Sequence, residues 1–137
     1  MAFWLFKSEP EVFGWPDQVV LGAEGDEWHG IRNYQARNNM RLMRVGDQGF
    51  FYHSSTGKEI VGIVEVIGLS HPERRTDDPR WDCVDVRAVR ALGRPVSLVE
   101  IKSDPRLANM VLVKNSRLSV QPVTPDEWRI VCELGLG

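Results

Sequence analysis

The chain alternates between apolar runs that no helix period explains and amphipathic stretches that fit one. Residues 2–7 open with Phe3-Trp4-Leu5-Phe6, apolar on both faces and stopped by Ser8-Glu9-Pro10. That pattern predicts a strand covered on each side. Lys7 and Ser8 then emerge at its end, where polar side chains and free backbone groups can face a ligand. Residues 15–21 read as a short helix with Pro16 in its first turn, followed by a loop over 22–27. Gln48–His53 and 59–69 are again strands, the second almost continuously β-branched. Between 81 and 94, Val84, Val86 and Ala88 face one way and Asp85 and Arg87 the other, a further strand. Residues 98–102 are helical, and Ser103-Asp104-Pro105 begins a second short turn. Residues 110–114 and 117–120 form short apolar pieces. Thr124-Pro125-Asp126-Glu127 starts a last helix with Trp128, Val131 and Leu134 toward the core. Interrupted strands with helices between them predict an α+β domain built on a partly closed barrel.

The stretch from Trp28 to Ser54 carries the densest information. At 100° per residue, Ala36, Met40 and Met43 share one side of a helix and Ile31, Tyr34 and Leu42 nearly the opposite one. Two stripes predict a helix wedged between two parts of the protein. Between them Asn33, Arg37 and Arg41 line up at i, i+4 and i+8. Two roles are open to these groups: pairing with carboxylates elsewhere, or holding a ligand. Gly46 closes the helix in the usual C-terminal place. The polar loop at 70–80 ends in Trp81, placed to act as a lid.

At 137 residues with a net charge of −2, the chain suits one domain, spanning 1–137, with its own core. Arg32, Arg37, Arg41 and Arg44 nonetheless fall in a window, 30–46, without any acidic residue. This local positive island points to a selected anion or phosphate contact rather than diffuse adhesion. Cys83 and Cys132 show no metal-ligand spacing, so neither a disulfide nor a metal is expected, and no cofactor. His29 and His71 lack acidic neighbours at ligand spacing and read as ordinary surface or loop residues. No apolar run reaches the length of a membrane span, and the N-terminus lacks a signal-peptide pattern. A cytoplasmic protein is the expectation.

Four segments then carry a resemblance. Phe-Lys-Ser-Glu-Pro at 6–10, Trp-His-Gly-Ile-Arg-Asn-Tyr-Gln-Ala-Arg-Asn at 28–38, Phe-Tyr-His-Ser at 51–54 and Arg-Leu-Ser-Val-Gln-Pro-Val at 117–123 together resemble the EVE domain family, over essentially the full chain. The resemblance implies a PUA-like β-pseudobarrel with helices packed around it. It also implies kinship with YTH readers of methylated RNA and a pocket for a modified base, in DNA or RNA. In those relatives a tryptophan follows a Lys-Ser segment, and Lys7, Ser8 and Trp28 are similar in order.

No catalytic motif is present: no nucleophile elbow, P-loop or HExxH. His53 and Ser54 are adjacent on one strand and point to opposite faces, so they cannot form a catalytic pair. The residues suit recognition of a planar ligand instead. Trp28, Tyr34 and Trp81 are candidate stacking groups, although core packing is the alternative for both tryptophans. Ser8, Asn33, Asn38, His53 and Ser54 can donate and accept along a base edge. Arg32, Arg37 and Lys114 can hold flanking phosphates. A concave, positive pocket bordered by Ser8, Trp28, Asn33, Arg37, His53 and Ser54 is expected, able to take an anion. The competing reading is a small hydrolase acting on a modified nucleoside, because some ASCH relatives in the PUA-like group are amidohydrolases. Only Lys7 with Glu9, or His53, could supply its base.

Overall fold

The computed structural model describes residues 1–136. Its strands are β1 (Phe3–Ser8), β2 (Asp26–Glu27), β3 (Gln48–His53), β4 (Glu59–Pro72), β5 (Asp82–Ser97) and β6 (Val120–Val123). Its helices are α1 (Trp15–Val20), α2 (Tyr34–Leu42), α3 (Leu98–Ser103), α4 (Val111–Lys114) and α5 (Pro125–Leu136), with 3₁₀ turns at Gly22–Glu24 and Pro105–Leu107. The mixed α+β architecture expected from the pattern is present. All six strands form one open sheet in the order β2-β5-β4-β3-β1-β6.

β1 lies inside this sheet, parallel to β3 and antiparallel to β6, with Phe6 opposite Phe51 and Leu5 opposite Gln121. That placement explains its apolar residues on both faces. Leu5 points into one core with Phe50, Ile60, Ile101 and Trp128, under α3 and α5. Trp4 and Phe6 point into a second core with Trp28, Met40, Phe51 and Val86, under α2. Trp128 stacks on Phe50 at 4.0 Å between ring centroids and on Phe3 at 4.4 Å. The start of α5 is a reciprocal cap: Glu127 N donates to Thr124 Oγ1 and Thr124 N to Glu127 Oε1.

Three expectations are corrected. The loop foreseen at 70–80 is shorter, because β4 runs on to Pro72 through register shifts against β5 that bend the pair. The loop foreseen at 22–27 contains β2, whose two residues pair with Val86 and Asp85. The central helix is not wedged. Ala36, Met40 and Met43 are buried, whereas Tyr34 is 50% and Leu42 69% exposed. The helix begins only after Asn33, so Ile31 is not on it and the second stripe never forms. Cys83 and Cys132 are free thiols. Among the described residues no helix is long and apolar enough to cross a membrane.

Candidate functional site

A cavity of about 230 Å³ opens where the end of β1 meets the segment from β2 to α2. Lys7 and Ser8 line it from β1. Val12, Phe13, Gln18 and Leu21 come from the turn after β1 and from α1, and residues 26–31 complete the wall. Three of the expected site residues, Lys7, Ser8 and Trp28, are therefore brought together here. Ser8 reaches this place because Ser54 N donates to its carbonyl, extending the β1–β3 ladder, while its hydroxyl donates to Phe13 O. Lys7 Nζ donates to Ser116 O, and burial pulls its pKa below the ordinary lysine value.

Trp28 sits at the boundary between core and cavity. It is 6% exposed, and the rings of Phe6, Phe13 and Phe51 meet it edge to face at 5.1, 6.1 and 5.5 Å. Its ring is thus clamped by the second core while it lines the cavity. Gln18 was not anticipated as a site residue. It is 1% exposed on a helix whose neighbours Val19 and Val20 are exposed, and its Nε2 donates to Val86 O at 3.4 Å. A buried amide on an otherwise solvated short helix was the available signal, and periodicity over six residues is too short to expose it. Phe13, Asp26, Glu27, His29, Gly30 and Ile31 were also missed as wall residues, although the last three lie inside the second motif.

The other nine expected residues do not line the cavity. Asn33 Oδ1 accepts from Ala36 N and caps α2. His53 Nε2 accepts from Trp15 N at 3.0 Å, and burial holds its pKa below the ordinary histidine value against the pull of Glu59 and Glu11. Ser54 lies beyond the end of β3 and Lys114 ends α4. The lid expected of Trp81 is absent: Trp81 is 8% exposed, stacked on Tyr34 at 5.1 Å, with the Arg32 and Arg80 guanidiniums over its ring.

The arginines divide by partner. Arg32 grips Glu73 with two hydrogen bonds of 2.8 and 3.2 Å, Arg41 holds Asp82 at 2.7 Å, and Arg80 holds Asp78 at 2.6 Å. Arg37 differs. It donates to Arg80 O and to Asn38 Oδ1, both neutral, and makes no ion pair among the described residues. The cavity wall includes two acidic residues, Asp26 and Glu27, beside one lysine, Lys7. The positive pocket foreseen is therefore not what forms, and uncompensated positive charge lies outside it, on α2.

His71 is also corrected. It ends β4 rather than lying in a loop, and one oxygen of Glu27, one ring nitrogen of His71 and Cys83 Sγ all lie within 4.8 Å of one another. No sequence spacing reveals this, because the three residues meet through sheet register.

The model of the EVE domain family matches residues 2–134. Thymocyte nuclear protein 1 of Homo sapiens is 34% identical, over 97% of this chain and 73% of its own length. A crystal structure of an Agrobacterium tumefaciens protein is 54% identical, with a TM-score of 0.97 over 98% of this chain and 93% of that one. A crystal structure of human thymocyte nuclear protein 1 in complex with DNA containing 5-methylcytosine is 33% identical, with a TM-score of 0.90 over 100% of this chain and 99% of that one.

Proposed function

This chain belongs to the EVE domain family, and on that premise we propose that it is a non-catalytic reader of a modified nucleobase in DNA. The base would leave its stack and enter the cavity between β1 and residues 26–31. The observation that carries the reading is the cavity's mixed wall. Trp28 and Phe13 supply aromatic rings, while Ser8 Oγ and Asp26 can accept hydrogen bonds and the Gln18 amide can donate and accept, which is what holding a flipped base requires. About 230 Å³ is below the ~300–1,000 Å³ of sites for drug-sized ligands, which suits one planar ring. A carboxylate on the wall accepts from an exocyclic amine, as in cytosine. The human relative's complex with DNA containing 5-methylcytosine supports the same ligand class.

The hydrolase alternative receives less support. His53 spends Nε2 on the Trp15 amide and does not line the cavity, and the Ser8 hydroxyl is committed to Phe13 O. The test is titration of the purified protein against matched oligonucleotides with cytosine or 5-methylcytosine, alongside chromatography for any released group. A clear preference with no turnover is the expected result. Equal affinity for both strands, across a panel of modified bases, would remove the proposal.

A further inference from the structure

Glu27, His71, Cys83 and Asp85 come from three adjacent strands. In the β2–β5 ladder Glu27 lies opposite Asp85, and in the β4–β5 ladder His71 lies opposite Cys83. Cys83 and Asp85 are two apart on β5, so pleating projects all four side chains from one face. A register shift between Gly68 and His71 adjusts β4 to this arrangement. Gly68 is part of it, because a Cβ there would stand 2.6 Å from Asp85 Oδ2.

The ligand atoms converge. Cys83 Sγ lies 3.6 Å and His71 Nδ1 3.8 Å from Glu27 Oε2. His71 Nε2 is 3.1 Å from Asp85 Oδ1, and Nδ1 donates to Pro72 O at 2.8 Å, a hydrogen bond that it gives up on binding a cation, the ring then keeping its proton on Nε2 toward Asp85. We infer that Glu27, His71 and Cys83 form a binding site for a zinc-class divalent cation, with Asp85 orienting His71 through Nε2. Tetrahedral zinc, with bonds of ~2.0–2.3 Å, needs ligand atoms roughly 3.3–3.7 Å apart; the two separations from Glu27 are close to that, and all three ligand atoms lie within 4.8 Å of one another. A set of one sulfur, one imidazole and one carboxylate selects zinc or a similar metal over magnesium or calcium. A carboxylate on the far nitrogen of a ligating histidine is the usual orienting partner.

Burial fits a bound ion. The Glu27 side chain is 2% exposed and Cys83 is 1%, while the 23% exposure of His71 leaves a way in. The Arg74 and Arg75 guanidiniums now stand 3.8 and 3.7 Å from Glu27, and at 67% and 50% exposure they can turn to water as the cation arrives. The thiol proton leaves to solvent as the metal–sulfur bond forms. This site shares Glu27 with the cavity wall, but its other groups, His71, Cys83 and Asp85, lie outside the cavity.

The test uses the full chain, treated with chelator and titrated with zinc chloride or cobalt chloride near neutral pH. One equivalent of metal, a thiolate-to-cobalt absorption band and a higher Tm with zinc are expected. Cys83→Ser should abolish the band, Cys132→Ser should keep it, and Asp85→Asn should weaken binding about 10–100-fold with the band retained. His71→Gln removes a ligand at the rim and serves if the buried sulfur substitution fails to fold. No saturable uptake by the parent overturns the inference, and so does uptake unchanged by His71→Gln or by Cys83→Ser.

Discussion

Replacing Trp28 separates its two contributions. Trp28→Ala removes a ring that is 94% out of water and leaves three phenyl groups facing a void. Substitutions of that kind cost ~3–5 kcal/mol. At ~2.1 cal/mol/K per residue, the unfolding entropy of 137 residues converts this to a Tm lower by roughly 10–17 °C. The loss is a large share of the ~5–15 kcal/mol that stabilises an ordinary domain, so binding is better read in Trp28→Phe. That change removes two ring carbons and the ring nitrogen, about 1.6 kcal/mol for the carbons at ~0.8 kcal/mol per buried CH₂, and leaves a folded protein. If the indole face supports a base, Trp28→Phe also weakens the modified strand by up to ~1–3 kcal/mol, a factor of about 5 to 150, at any salt concentration. Urea unfolding gives the first quantity and fluorescence anisotropy of labelled oligonucleotides the second. A Trp28→Ala protein that melts with the parent refutes the core assignment. A Trp28→Phe protein that is destabilised yet binds the modified strand like the parent shows that the indole adds nothing to binding beyond what a phenyl ring supplies.

Arg37→Ala should weaken modified and unmodified strands alike and lower the slope of log K against log salt by about 1. Arg32→Ala should leave that slope unchanged, because its charge is already held by Glu73; equal slopes for both variants would defeat the distinction. Asn33→Ala loses the cap of α2 and should cost about 1 kcal/mol in urea unfolding; an unchanged midpoint would show the cap to be idle. His53 has a folded pKa depressed by burial, so the unfolded chain takes the proton more readily. Its contribution to stability is complete above about pH 6.5 and is lost as pH falls through the folded pKa. Unfolding midpoints at pH 7.5 and 5 should therefore lie closer together in His53→Gln than in the parent, and identical spacing would count against this sign.

What the sequence shows follows from how far each signal reaches. β1 and β3 are readable because an interior strand carries its burial in consecutive residues, and the start of α5 because Thr124, Pro125 and Glu127 are contiguous. α2 is half readable: its buried stripe is right, but the period cannot locate the first helical residue, and the cap at Asn33 excludes Ile31. The cavity is legible only where motifs mark it, at Lys7, Ser8 and Trp28. Gln18 and Asp26 join it through tertiary placement alone. Charges mislead most. The acid-free window predicts a positive pocket, yet Glu73 and Asp82, both over 30 residues away, take up Arg32 and Arg41.

The place of β1 between β3 and β6 has a consequence for biosynthesis. Phe3-Trp4-Leu5-Phe6 leaves the ribosome before either of its ladder partners, one of which begins at Gln48 and the other at Val120. At about 5–20 residues per second, over a hundred residues of further synthesis leave that strand without its second partner for roughly 6–22 s. The wait falls on the apolar strand that the finished sheet buries on both faces.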